Sequence, residues 1–320
     1  MKILIVKLSS MGDIVHTTPI VADILHSFPQ AQIDWLCEEN FVDLLQQVKG
    51  IRQIISVALR RWRHAPLSCQ TWQQIHSFYH HLRADQYDWI IDTQGLLKSA
   101  ILSRIAQGKV SGLANRTDGA GYEWPVRFFY HKRHYIEPRT HVITRSRLLV
   151  AKALHIPLRK ELDFGLNPKP CFLKFPIPYI VFVHASSRKN KSWPLASWIK
   201  LGQELITLGY HIVLPWGSAE EQETSRHLAA TLGKQAHVPD HLSLPEVISL
   251  LADAKATIGV DTGLSHIAMA LKKPSIQIYR FNTAWRTGSL GKDKTICLGT
   301  SEHLVTTHEI TTALTQLGIL

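Results

Sequence analysis

Apolar residues along the chain fall into two alternating rhythms. Runs that are continuous or alternate with a period of two read as strands at residues 2–7 (KILIVK), 32–38 (QIDWLCE), 51–59 (IRQIISVAL), 87–94 (YDWIIDTQ) and 109–114 (KVSGLA). Between them, Ile20 to His26, Phe41 to Val48, Thr71 to Ala84 and Leu96 to Gln107 place apolar side chains at helical spacing, and Thr140 to His155 adds a further helix. Buried strands alternating with helices predict a parallel sheet covered on both faces.

Pro157, Pro168, Pro170, Pro176 and Pro178 then exclude a continuous helix or a central strand, and this stretch reads as an interdomain connection. Beyond it the alternation restarts. Strands are expected at 179–186, 211–217, 256–261 and 275–279, with helices from Leu195 to Leu208, Ala219 to Leu232, Leu244 to Ala254 and Gly263 to Leu271. An amphipathic helix from His308 to Leu317 ends the pattern. The fold class is therefore α/β, with two Rossmann-like βαβ domains facing a central cleft, and ligands are expected at the carboxyl ends of the strands.

Composition narrows the choice of partner. The first apolar run is cut by Lys7, too early for a secretory leader, and no stretch approaches the roughly 20 apolar residues of a membrane span. Cys37, Cys69, Cys171 and Cys297 form no CxxC pair, which fits reduced thiols in the cytoplasm and argues against structural zinc. The histidines, although grouped as HH and HKRH, are read as lacking HExxH or an i, i+4 helical pair, so no metal site is expected. A net charge of +11 points to an anionic partner: nucleic acid, phosphorylated lipid or a sugar phosphate.

Candidate chemistry clusters where strands turn into helices. In VDTGLSH (260–266) a strand runs into Asp261-Thr262-Gly263 and onward to a helix whose first turn holds His266. Free N–H groups at such a helix start bind anions, although an Asp/Thr cap alone accounts for part of the pattern. In HASSRKNK (184–191), Ser186 and Ser187 offer hydroxyls while Arg188, Lys189 and Lys191 concentrate positive charge, a phosphate-binding combination or a solvated basic loop. Glu221, in the first turn after LPWG, is either a dipole-complementing acid or an acceptor for ribose and sugar hydroxyls. Arg60, Arg61 and Arg63 in RRWR, and Lys98 after DTQG, follow strands of the first domain and could share a cleft with Lys7 and Asp13. Trp62 among those arginines also resembles a nucleic-acid patch, without any RNA-binding signature to support it. Asp13, in SSMGD, is a helix cap on the plainest account; as a partly desolvated carboxylate it could instead be a general base.

Taken together and in this order, ILIVKLSSMGDIVHTTP, LRRWR, IDTQGLLKSA, LPWGSAEE and VDTGLSH resemble the lipopolysaccharide heptosyltransferases, most closely the heptosyltransferase I group. The resemblance implies a GT-B fold. Residues 1–165 would form an acceptor-binding domain, 166–305 a nucleotide-sugar domain, and 306–320 a helix that returns to the first domain. It further implies inverting, metal-independent transfer of L-glycero-D-manno-heptose from ADP-L-glycero-beta-D-manno-heptose to the Kdo (3-deoxy-manno-octulosonic acid) of a lipid A precursor. An already heptosylated core, the acceptor of heptosyltransferases II and III, is the alternative. On this resemblance Asp13 is the catalytic base and Lys191 offsets diphosphate charge. Ser186, Ser187, Lys191, Glu221, Leu242, Asp261, Thr262, Gly263 and His266 bind the donor, and Ser10, Gly12, Arg60, Arg61, Arg63 and Lys98 the acceptor. The chain departs from the family where Arg280-Phe281-Asn282 replaces Gly-Pro-Thr. The enzyme is expected in the cytoplasm, held peripherally on the anionic inner leaflet of the inner membrane, with no nucleic-acid partner. A nicotinamide oxidoreductase, which would need G-x-G-x-x-G in the first turn, and a non-catalytic RNA-binding protein are the competing classes.

Overall fold

A computed structural model describes residues 1–168, 170, 175–186, 188–290 and 294–320, with Lys189 described by its backbone alone. The chain divides into two compact units, Met1–Asn167 and Pro168–Leu320.

The first unit runs β1 (Lys2–Val6), α1 (Met11–Thr17), α2 (Pro19–Ser27), β2 (Gln32–Glu38), α3 (Val42–Leu45), β3 (Ile51–Val57), α4 (Leu59–His64) and α5 (Cys69–Leu82). It continues with β4 (Gln86–Asp92), α6 (Leu97–Ile105), β5 (Gln107–Leu113), β6 (Lys132–His134) and α7 (Val142–Leu154). Its six strands, all parallel, are ordered β3-β2-β1-β4-β5-β6. The near-continuous apolar runs of β1, β2 and β4 take the middle of the sheet, where both faces are covered.

The second unit runs β7 (Tyr179–Val183), α8 (Leu195–Thr207), β8 (His211–Val213), α9 (Ala219–Leu232), β9 (Ala236–His237) and α10 (Leu244–Asp253). Then follow β10 (Ala256–Val260), α11 (Gly263–Ala270), β11 (Ser275–Ile278), α12 (Ala284–Thr287), β12 (Thr295–Leu298) and α13 (Thr307–Gln316). Its parallel sheet, ordered β12-β11-β10-β7-β8-β9, has the topology of the first: the first strand lies beside the fourth, and the order reverses there. That reversal opens a crevice at the strand carboxyl ends, and each unit has one.

Several short elements went unread in the sequence pattern, α12 among them. Edge strands β6, β9 and β12 are short and largely polar or mixed, and LRRWRH, which begins where the third strand was expected to end, forms α4. Ile310, Ala313 and Leu314 of α13 are buried in the second unit's core beside Trp198, Leu201 and Ile276. No helix among the described residues is long and apolar enough to cross a membrane. Cys37, Cys69 and Cys297 are in no disulfide among the described residues, and Cys171 lies outside them.

Candidate active site

In the second unit the crevice is flanked by the turns after β7 and β10. Strand β7 is fully buried and delivers His184, whose Nε2 meets Ser225 Oγ of α9 at 2.8 Å. Burial pushes this imidazole down to about 4, so it is neutral at physiological pH and pins the turn that follows. In that turn Ser186 Oγ accepts a hydrogen bond from the Arg188 N–H (3.3 Å) and a short 3-10 segment, Lys189–Lys191, presents Lys191. Ser187 lies outside the described residues. Trp193, just beyond, is locked by its Nε1–H donating to the Val305 carbonyl (2.9 Å) and by edge-on contact with Trp198 at 5.0 Å.

Strand β10 ends in the Asp261 turn, and α11 begins at Gly263. Gly259 permits this close junction: a Cβ there would lie 2.4 Å from Ser265 Oγ and 2.7 Å from Val183 Cβ. Ser265 Oγ donates to the Val260 carbonyl (2.6 Å), and Gln277 Nε2 donates to the Ser265 carbonyl (3.0 Å), fixing the first helical turn. Asp261 is 8% exposed and accepts from two sides, Lys191 Nζ at Oδ2 (2.5 Å) and His266 Nε2 at Oδ1 (3.1 Å). Burial alone would raise its pKa, but the hydrogen bonds and charges of His266 and Lys191 outweigh that and hold the carboxyl well below the usual range. Lys191 also reaches the Asp261 carbonyl at 3.3 Å. Thr262, the extended N-cap of α11, keeps its Oγ1 buried without a hydrogen-bond partner among the described residues. A held cation, a helix start and a spare hydroxyl suit phosphate oxygens.

Other expected donor residues lie around the same crevice's rim. Glu221 Oε2 accepts from the Gly217 N–H (2.8 Å), and Ser218 Oγ from the Glu221 N–H (3.3 Å), so this carboxylate closes the turn before α9. Leu242, 8% exposed, follows His241, whose ring stands edge-on to Trp216 at 5.2 Å. In the departing loop, Arg280 Nη1 donates to the Ser192 carbonyl (3.4 Å), tying Arg280-Phe281-Asn282 to the Lys191 turn.

The first unit repeats the architecture with different chemistry. After β1 comes the turn Ser9–Ser10, and Asp13 sits within the first turn of α1. Asp13 Oδ2 accepts from the Ser10 backbone N–H (3.2 Å) and Ser10 Oγ (2.9 Å), so the capping reading is correct as far as it goes. Burial pushes this carboxyl up, while the Lys7 charge, the Ser10 bonds and Arg145 bring it below its ordinary value, leaving it ionised. Lys7 is 2% exposed, and its ammonium makes no hydrogen bond or ion pair among the described residues. Across the crevice, Gln94 Oε1 accepts from the N–H groups of Leu8 (3.2 Å) and Ser9 (3.3 Å), joining the turns after β1 and β4.

Asp92, at the end of β4, occupies the position that Asp261 occupies after β10, and both open an Asp-Thr sequence. Its role is different. Asp92 accepts from the N–H groups of Gln94 (2.8 Å) and Gly95 (3.2 Å) and from Ser99 Oγ and Tyr130 Oη (both 2.8 Å), and it is fully buried. That carboxylate is spent on its own loop.

Of the expected acceptor residues, Ser10 is the N-cap of α1 and Gly12 lies half-buried in its first turn. Arg60 and Lys98 converge on Glu38, a buried carboxyl pushed up by burial and pulled back by those two charges. Arg61 pairs with Glu39 at 2.9 Å and donates to Gln74 of α5 (2.7 Å), while Arg63 is exposed on α4. Gln94, Arg145, Glu38 and the His184–Ser225 bond escaped the sequence reading. A strand ending in His was a signal for the last, but nothing in ITRSRLL marks Arg145 as facing Asp13. The reading that no helix carries an i, i+4 histidine pair is corrected: His76 and His80 are such a pair on α5.

Comparison with known proteins gives a consistent result. The family model for glycosyltransferase family 9 (heptosyltransferase) matches residues 75–316. The chain is 36% identical to lipopolysaccharide heptosyltransferase 1 of Salmonella typhimurium over 308 residues, covering 95% of this chain and 96% of that protein. Among solved structures it is similar to Escherichia coli heptosyltransferase WaaC with ADP (TM-score 0.89, 33% identity, 99% of this chain and 100% of that one). The same protein with ADP-2-deoxy-2-fluoro heptose matches at a TM-score of 0.85, with 33% identity and 99% of each chain covered.

Proposed function

Because the chain belongs to glycosyltransferase family 9, the heptosyltransferases, and has the α/β, GT-B type of fold, we propose that it moves L-glycero-D-manno-heptose from ADP-heptose to the Kdo of a lipid A precursor. The observation that carries the donor half is the Lys191–Asp261–His266 cluster at the start of α11. Asp261 holds Lys191 where a nucleoside diphosphate would meet both its ammonium and the free N–H groups of the helix, with Thr262 Oγ1 as a further donor. Glu221, Ser186 and Ser187 would meet donor hydroxyls and phosphates, and Leu242 with Trp216 would give the adenine an apolar wall.

In the reaction the acceptor hydroxyl loses its proton to Asp13 as its oxygen bonds to the anomeric carbon. The bond from that carbon to the diphosphate breaks with inversion, and ADP leaves with its new charge balanced by Lys191. A base held below its ordinary pKa is ionised at neutral pH, and it takes the proton late, as the new bond makes that proton acidic. Charge on the leaving group is met by a fixed lysine and helix amides, which supports transfer without a metal ion. Arg60, Arg61, Arg63 and Lys98 would face the anionic Kdo and lipid A phosphates, and the +11 charge would favour peripheral attachment to an anionic membrane surface.

The test is ADP release from ADP-heptose with Kdo-lipid A present or absent, for the native chain and Asp13→Ala. Acceptor-dependent release that falls by about 10²–10⁴ in the variant is the expected result. Turnover unaffected by Asp13→Ala refutes the base, and turnover confined to an already heptosylated core reassigns the acceptor.

A further inference from the structure

Helix α5 carries a feature unrelated to sugar transfer. His76 and His80 lie one turn apart on its solvent face, both exposed, with their Nε2 atoms 3.0 Å apart and ring centroids at 4.3 Å. The opposite face of the helix is anchored, since Gln74 accepts from Arg61 (2.7 Å) and Trp62 Nε1 (2.9 Å) and Phe78 stands edge-on to Trp62 at 5.7 Å. The two rings are therefore presented together by a held backbone.

We propose that His76 and His80 form a chelating site for a late divalent transition ion, Zn²⁺, Ni²⁺ or Cu²⁺. Two metal–nitrogen bonds of about 2.0–2.1 Å at a tetrahedral angle span roughly 3.3 Å, so the rings need to part by only about 0.3 Å. The ion takes the place of the Nε2 proton between the two rings, which passes through solvent to Nδ1 of the same ring, so both imidazoles stay neutral and each Nε2 gives its lone pair to the metal. No group of three or more potential ligands exists among the described residues, so water or an external ligand completes the coordination. Neutral imidazole pairs favour Cu²⁺ over Zn²⁺ and Ni²⁺ and discriminate against Mg²⁺ and Ca²⁺. Binding would staple a helix in which only Thr71 and Leu82 are buried.

A second histidine contact serves as the internal control. His211 Nδ1 and His237 Nε2 are also 3.0 Å apart, but they lie half-buried on neighbouring strands β8 and β9 with rings tilted by 33°. Half-buried and held on two strands, this tilted pair is the less accessible of the two to an ion from solvent.

Zn²⁺ and Cu²⁺ are titrated calorimetrically into the full chain at pH 7.5, with His76→Ala, His80→Ala and a His211→Ala/His237→Ala variant in parallel. One equivalent binds the native chain and raises its melting temperature; either α5 variant weakens that binding roughly tenfold or more, and the control variant leaves it unchanged. Binding that survives both α5 substitutions, that vanishes in the control variant, or that never occurs overturns the assignment.

Discussion

Acidification should unfasten the turn that carries Lys191, through His184. Folded, that imidazole titrates at about 4 because it is buried against Ser225; unfolded, it returns to the ordinary 6.5. Between those values the unfolded chain binds a proton that the native state refuses, so stability is full above pH 6.5 and is lost as pH falls toward 4. The gap is worth roughly 3 kcal/mol in all, of which about 2 kcal/mol is gone by pH 5. Urea unfolding followed by tryptophan fluorescence at pH 7.5 and 5.0 measures it, because Trp193 and Trp198 belong to the same unit. His184→Gln keeps a polar side chain opposite Ser225 but cannot titrate. The native chain should lose about 2 kcal/mol more than the variant over this range, since other histidines titrate equally in both. Equal losses in the two proteins would refute the reasoning, whatever their absolute stability.

Three further outcomes are expected. Lys191→Met should weaken ADP binding by roughly ten- to a hundredfold, the worth of a charge-assisted contact, and let Asp261 titrate higher; unchanged ADP affinity by calorimetry removes Lys191 from the donor site. Lys7→Met takes away the charge that most lowers Asp13, so the acid limb of the kcat/KM profile should move to higher pH while the melting temperature holds or rises, because the ammonium is buried without an ion pair. An unmoved acid limb would dissociate Lys7 from the base. Asp23→Ala strands Arg147, which is 6% exposed and bonded to Asp23 at 2.6 and 2.9 Å, and should cost about 3–5 kcal/mol in urea unfolding; a loss below about 1 kcal/mol would show the pair to be dispensable.

The central strands were legible because a strand covered on both faces must be apolar throughout, as KILIV and YIVFV are. Edge strands escape that requirement. KRH in β6 has only one neighbour and is mostly exposed, so no hydrophobic rhythm announces it. The loops were legible as chemistry, for Asp261, His266 and Lys191 do converge as VDTGLSH and SSRKNK suggested. Which carboxylate would be consumed by folding was not. Asp92 and Asp261 stand at matching places with nearly the same sequence around them, and only Ser99 and Tyr130, remote from one another in sequence, decide that Asp92 is structural. Asp13 is the cap that the plainest reading expected, and it is held ionised, the state that the competing general-base reading requires.

Neither sheet borrows a strand from the other half of the chain, and that has a consequence for synthesis. The first sheet is complete once residue 134 has been made, and its covering helix α7 ends at Leu154, before β7 begins. The first unit can thus close on the ribosome while the second is still being translated. The second cannot finish early: Ile310, Ala313, Leu314 and Ile319 supply part of its core. A nascent chain halted near residue 300 would hold a folded first unit and a second unit whose core still lacks Ile310, Ala313, Leu314 and Ile319, an open apolar interior that proteases can reach.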